Sequence, residues 1–343
     1  MITPLEATSR PLRIGLVGGW GHESVKRYPG AELAWACDAD EKARDRAAAG
    51  NHPVFSSMDE LLREFQPDVV YIGSVFGRNG SLAVAAMEQG LPVVSEKPIA
   101  ADRPTLNRLR ELSSTTNLGV IAEFAMRWSA PLQKARELVA SNAIGEITLI
   151  SASKAYKFGK ERPSFYGARA TFGGIIPWIA GHSIDYAAWT TGLTFRSVTA
   201  QHGNRCFPEY PEMEDHAAML FEMNNGAACV VTADFLRPSA AASHGDNFLH
   251  LTGTQGTVEV RNAEVTLTTA THREQWQIEE DPQEGIRRAV GLVNAAMGKP
   301  SEISTKDSLH STEAALAARE SADLRRLNGR HTAVSIPERP EQH

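Results

Sequence analysis

The sequence predicts an α/β protein of two domains, a doubly wound parallel sheet followed by an α/β domain with a mostly antiparallel sheet. Three observations carry this expectation. Strand and helix patterns alternate from Leu12 to Ser95, the signature of parallel strands joined by crossovers. The first strand runs into a glycine cluster, with an acid about 20 residues further on. From Asp215 to Thr269 short strand patterns follow one another, separated by turn residues.

The first strand is LRIGLV (Leu12–Val17), ending at Gly18-Gly19-Trp20-Gly21. A helical stretch is expected next, then the strand ELAWAC leading to Asp38. Counting from Gly19 gives Gly19-x-Gly21-x-x-Ser24, a glycine fingerprint whose turn is one residue longer than usual. Glycines let a backbone approach a pyrophosphate, and an acid in the place of Asp38 can hold a ribose diol. Asp38 would repel a 2′-phosphate and Ala39 offers no compensating cation, so NAD is favoured over NADP. Further on come a helix at Asp59–Phe65, the buried strand PDVVYIGS, a helix through Ala83–Gln89 closed by Gly90, and the strand LPVVS. This last strand leads into Glu96-Lys97-Pro98, where a ligand-facing position is expected, at the carboxyl end of a parallel strand. Pro98 invites a cis bond.

The later part reads differently. Asp215–Met223, Asn224-Asn225-Gly226 and Ala227–Leu236 form a hairpin pattern, and NFLHLTG, TVEVRN and EVTLTT follow as strands. Between the two parts lies GGIIPWIAGHSIDY, with His182 alone in an apolar run. Pro177 suits a helix start and Gly192 its end. Trp178, His182, Asp185 and Trp189 then share one helix face. The stripe fits a buried core histidine as well as a catalytic one.

Composition excludes several partners. The charge of −6 comes from interspersed residues, so no basic footprint for nucleic acid or an anionic membrane is expected. No apolar run reaches the roughly 18 residues of a membrane span, and MITPLEATSRPLR does not read as a signal peptide. Cys37, Cys206 and Cys229 are odd in number and scattered, which points to a reducing cytoplasm and away from a disulfide framework or metal site.

The EKP segment, together with AEFAMRW (Ala122–Trp128), NAIGEI (Asn142–Ile147), GG…GHSID (Gly173–Asp185) and LTGTQGTVEV (Leu251–Val260), resembles the Gfo/Idh/MocA family. The likeness extends from about Leu12 to Leu327. It implies a Rossmann domain over residues 1–122 and a substrate-binding and oligomerisation domain over 123–343, built on a large, mostly antiparallel sheet. A homodimer or homotetramer through the open sheet face is also implied. So is catalysis: His182 as acid/base, and Lys97 beside it near the nicotinamide, assisting oxidation of a sugar, cyclic polyol or related hydroxy compound. Gly18, Gly19, Trp20, Gly21, Asp38, Asn79, Glu96, Lys97 and Pro98 are the expected cofactor contacts, Glu96 orienting local backbone.

Two positions depart from the family pattern. Trp178 stands where an aspartate is usual, leaving Asp185 or a substrate group to orient the imidazole; its indole could instead pack on a sugar ring. Asn79 stands where a histidine is frequent. Arg169 is a candidate substrate contact among the bases Lys154, Lys157, Lys160 and Arg162, in or beside a specificity loop at 158–174. Arg127 receives no role, and the acidic run Glu209, Glu212, Glu214, Asp215 and His216 reads as a solvated loop. Beside the dehydrogenase stand a redox-neutral enzyme using held NAD and a non-catalytic NAD-binding regulator.

Overall fold

The computed structural model describes residues 10–19, 22–36, 52–159, 162–279, 281–329 and 331–337. The chain divides into two compact units, Met1–Ala125 with Pro282–Leu309, and Met126–Asp281 with His310–His343. No helix among the described residues is long and apolar enough to cross a membrane.

The first unit holds six strands, β1 (Arg13–Gly18), β2 (Glu32–Ala36), β3 (Val54–Phe55), β4 (Val69–Gly73), β5 (Val93–Ser95) and β6 (Val120–Ala122). They are all parallel, in the order β3-β2-β1-β4-β5-β6. The order reverses between β1 and β4, and ligands of such sheets sit at the carboxyl ends near that reversal. Val69–Gly73 is buried throughout because helices cover both faces of a parallel sheet. Those helices include Met58–Glu64, capped by Ser57 accepting from the Glu60 amide, and Asn79–Glu88.

One expected helix does not form. After the glycine turn the chain makes only a 3-10 turn, Ser24–Arg27. Pro29 disfavours helical backbone in the preceding residue, and Tyr28 is extended at φ −64° and ψ 123°.

The division expected at 122/123 does not include a return of the chain to the first unit. The helix Glu284–Ala296 and the residues after it close the open edge at β6. The Val120 amide donates to Thr305 Oγ1 at 3.1 Å and the Ala122 amide to Ser308 Oγ at 3.0 Å. An edge strand otherwise presents unpaired amides that invite association. Gly119 donates to Ala296 O at 3.1 Å, and a Cβ at this position would stand 2.4 Å from the same oxygen.

The second unit is built on nine strands in the order β14-β13-β12-β11-β7-β10-β9-β8-β15. These are β7 (Ile147–Tyr156), β8 (Phe195–Gly203), β9 (His216–Met223), β10 (Ala228–Asp234), β11 (Gly245–Gly253), β12 (Gly256–Arg261), β13 (Glu264–Thr269), β14 (Arg273–Gln277) and β15 (Val334–Ser335). Only β7 and β10 pair in parallel. The Asn224–Gly226 turn joins β9 to β10 as the sequence suggests, and alternate residues of both strands are buried.

The helix of His182 differs from an ordinary amphipathic one. Ile176–Ala180 forms a π-turn that continues as the α-helix Gly181–Thr191. Every residue from Ile175 to Thr190 is buried, so the apolar run reflects a helix enclosed on all sides. The wider π-turn takes Trp178 off the 3.6-residue stripe.

Gly119→Ala is expected to cost about 2–3 kcal/mol of stability, because the added methyl must displace Ala296 backbone. Urea unfolding monitored by circular dichroism checks this; an unchanged midpoint would refute the close contact.

Candidate functional site

The first unit gathers its polar residues at the carboxyl ends of β1, β4, β5 and β6. Gly18 closes β1 at φ +95°, and a Cβ there would meet Gly73 O at 2.5 Å, so no side chain fits. Gly19 donates to the same Gly73 oxygen at 3.0 Å. Trp20, Gly21 and Asp38 lie outside the described residues. Bare backbone at a strand end suits the close approach of a dinucleotide.

Glu96 organises the neighbouring strand exits. Its Oε2 accepts from the His22 amide at 3.1 Å and from His22 Nδ1 at 2.6 Å. Its Oε1 accepts from the Lys97 amide at 3.2 Å and lies 3.8 Å from Lys97 Nζ. Lys97 is 1% exposed, unlike a surface lysine, and the Lys97–Pro98 bond is cis. Asn79 is buried, its Oδ1 accepting from the Ser74 amide at 3.0 Å and its Nδ2 donating to Glu96 O at 3.1 Å. It thus ties the β4 exit to the β5 exit through backbone.

Residues that sequence reasoning passed over join this group. Glu123, just after β6, is buried and accepts from Ser24 Oγ, to which Arg288 Nε donates at 3.1 Å. Tyr71 Oη accepts from the Glu23 amide at 3.0 Å. His22, Glu23 and Ser24, directly beyond the glycine turn, are therefore each held from the strand ends. His22 carried no signal beyond its nearness to that turn; Glu123 was visible only as an acid inside the apolar AEFAMRW segment.

The two neighbouring carboxyls are driven apart. Burial alone would raise Glu96, but the hydrogen bond and charge of His22, then Lys97, outweigh it and hold the group below the usual range. Burial, then the charge of Glu96, raises Glu123. The Glu96 hydrogen bond, then its charge, raises His22.

The second unit presents His182, buried on its helix. Asp185 is buried on the same helix. Arg127 takes both of its oxygens, Nε to Oδ2 at 2.9 Å and Nη2 to Oδ1 at 2.6 Å, and Ser311 Oγ donates to Oδ1 at 2.9 Å. The carboxylate is thus buried among three donors. Removing one partner of such a pair costs about 3–5 kcal/mol. Arg136 adds a bond to Trp189 O at 2.5 Å, so Arg127 and Arg136 both pin the helix.

Arg169 pairs through Nη2 with Glu214 and lies 3.5 Å from Asp323, while its buried Nη1 makes no hydrogen bond among the described residues. Glu214 further accepts from the Ile175 amide at 3.2 Å, and Arg319 donates to Gly173 O at 2.8 Å. These bonds fix the turn that launches the His182 helix. The acidic run is thus no solvated loop throughout, because Glu214 and Asp215 are buried. Asp215 Oδ2 accepts from the Arg205 and Cys206 amides at 2.8 and 2.6 Å.

A 3-2-1-4-5-6 parallel sheet with its glycine turn at the first strand end defines a dinucleotide-binding α/β protein. Residues 12–124 match the model of the oxidoreductase family, NAD-binding Rossmann fold, and residues 132–259 match the GFO/IDH/MocA C-terminal domain. The chain belongs to the GFO/IDH/MocA family, and its first domain is that family's NAD-binding Rossmann fold. It is similar to a putative oxidoreductase from Thermotoga maritima of known structure, with 30% identity, a TM-score of 0.85, and 95% of this chain and 100% of that one covered. Levoglucosan dehydrogenase in complex with NADH shares the fold at 19% identity, TM-score 0.81, over 96% of this chain and 100% of that one. The inositol 2-dehydrogenase of Corynebacterium glutamicum (strain R) is 25% identical over 228 residues, 64% of this chain and 65% of that protein. The chain therefore spans somewhat less than two-thirds of that relative's length.

The Glu96–His22 contact has a pH window. Glu96, lowered from an ordinary value of 4.5, contributes stability above that value and loses it as pH falls through its folded pKa. His22, raised from 6.5, contributes below that value and loses it as pH rises through its folded pKa. The His22 side chain is 63% exposed, so solvent screens the gain. Glu96→Gln is expected to return the His22 titration midpoint toward 6.5. An NMR titration of the imidazole checks it, and an unmoved midpoint would dismiss the contact.

Proposed function

We propose that the protein is an NAD-dependent dehydrogenase of a sugar, cyclic polyol or related hydroxy compound, with His182 as acid/base and Lys97 assisting. The observation that carries this reading is the buried Lys97 ammonium, held beside Glu96 at the carboxyl end of β5. Ligands of doubly wound sheets bind outside those strand ends. Gly18 and Gly19 would hold the dinucleotide there, with Trp20, Gly21 and Asp38, while Asn79, Glu96 and Pro98 shape the strand exits that face it. When bound, NAD supplies the acceptor for the hydride that leaves the carbinol carbon.

The chain's own groups handle the oxygen and the proton. A neutral imidazole at His182 takes the hydroxyl proton and returns it in the reverse direction. The Lys97 ammonium stabilises the oxygen as negative charge develops. Trp178, where the family pattern has an aspartate, offers an indole surface for the C–H face of a ring. That replacement also favours a second reading, a redox-neutral reaction on held NAD.

The relatives named inositol 2-dehydrogenase and levoglucosan dehydrogenase support a carbohydrate or polyol substrate. Incubation with NAD and a panel of sugars, inositols and sugar acids is expected to yield NADH equal to the substrate consumed. His182→Ala should lower kcat/KM by about 100- to 10,000-fold while NADH binding, followed by fluorescence, is retained. Substrate loss without NADH would replace this reading with the redox-neutral one.

We also propose a homodimer or homotetramer through the open face of the nine-stranded sheet. Leu220 (53% exposed) stands opposite Val230 (38%) in the β9–β10 pair, and Leu149 (40%) stands diagonally beside them on β7. Sedimentation velocity is expected to find an oligomer that Leu220→Glu shifts toward monomer; a monomeric wild type would reject the assembly.

A further inference from the structure

Lys154 is a buried ammonium for which acid/base chemistry at His182 and Lys97 has no use. On β7 it follows Ile150 and Ala152 along the covered face of the sheet, opposite Ala233 of β10 and Asn247 of β11. The π-turn and the His182 helix pack on these same strands, β7 and β10. One turn beyond His182, the Tyr186 hydroxyl lies 2.7 Å from Ser153 O, the residue next to Lys154.

An ammonium carries three donors. Asn247 Oδ1 takes one, and the Tyr156 ring centroid lies 5.0 Å from Nζ. Among the described residues no carboxylate pairs with it. Asp246, whose charge it feels, is shared by Arg237 at 3.4 Å and Arg261 at 3.0 Å. More cations gather nearby. Burial, then the charges of Arg162, Lys157 and Lys154, pushes the His244 imidazole down. Arg162 stacks on the Phe158 and Tyr166 rings at 5.3 and 5.1 Å, and Lys157 Nζ donates to Ser239 O at 2.9 Å. Each has neutral partners among the described residues. A buried charge without a counter-charge is costly.

We propose that Lys154 binds a carboxylate of the substrate, so that the compound oxidised is a sugar acid or polyhydroxy acid. This inference rests on the dehydrogenase reading and names its substrate class. A carboxylate supplies the counter-charge that Asn247 cannot, and takes the donors left by that single neutral bond. A neutral hydroxyl would fill a donor but leave the charge uncompensated. Tyr156, two residues on along the same face, offers a ring to the adjoining C–H surface. Burial lowers the Lys154 pKa to about 8, which leaves the group mainly protonated at neutral pH.

The test uses matched pairs, glucuronate with glucose, galacturonate with galactose, and gluconate with glucitol. Binding is measured by calorimetry in the presence of NADH, and turnover by NADH formation with NAD. The wild type is expected to bind at least one acid about tenfold or more tightly than its neutral partner. Lys154→Met should weaken that acid about 10- to 100-fold, at least tenfold more than it weakens the neutral partner. A wild type indifferent to the carboxylate overturns the proposal whether or not the variant folds, and so does a variant that weakens both partners alike. Tight acid binding that depends on Lys154, with no NADH from any compound, would overturn the dehydrogenase reading and leave the carboxylate site standing. NADH formed from neutral partners alone would do the reverse.

Discussion

A carboxylate buried at a strand end must collect donors or give up its charge, and the first unit is arranged around the way Glu96 meets that demand. Its two oxygens receive the His22 amide and ring on one side, and the Lys97 amide and ammonium on the other. One side chain thereby fixes the segment beyond the glycine turn and the one ammonium assigned to the reaction. Its own carbonyl is held by Asn79, which also holds the Ser74 amide. The exits of β4 and β5 and the segment beyond β1 are therefore joined by hydrogen bonds that leave little freedom to the backbone facing a dinucleotide.

Glu123 shows the other answer to the same demand. It ends the neighbouring strand, where Glu96 already carries the charge, and its pKa moves up instead of down. Two acids side by side are thus shifted in opposite directions, because Glu96 holds the hydrogen bond of His22 and the charge of Lys97, whereas burial and the charge of Glu96 dominate at Glu123. The second unit repeats the principle with a different pair. Asp185 lies inside a helix enclosed on all faces, and the guanidinium of Arg127 bonds to both of its oxygens there. The pair anchors the helix of His182 from within, while Glu214 and Arg319 fix the turn before it. Lys154, on the sheet beneath that helix, hydrogen-bonds to an amide and pairs with no carboxylate among the described residues, which sets it apart from these paired ions.

Much of the architecture was legible because it rests on local rules. LRIGLV and PDVVYIGS each hold a continuous apolar run since parallel strands are covered on both faces, and each run lies in a strand. Asn224–Gly226 makes a hairpin turn because those residues accept turn geometry, and the flanking alternation fixes which side is buried. The 3-10 turn at Ser24–Arg27 was missed where a helix was read, although Pro29 carried the information. Lys97 and His182 were singled out by motif and position, and both are buried.

The sequence by itself determined the strands, the turns, the parallel-then-antiparallel character and the family, because periodicity and glycine placement act over a few residues. Only the tertiary structure decided which buried charge meets which. Glu96 finds His22 across 74 positions of chain, Asp185 finds Arg127 across 58, and Arg169 finds Glu214 across 45. It also decided that residues 282–309 return to close the edge at β6. No periodicity encodes such pairings, because they depend on which distant segments packing brings together. The partners of Asp185 and Arg169 were therefore invisible in the sequence, and Arg127 could be left without a role.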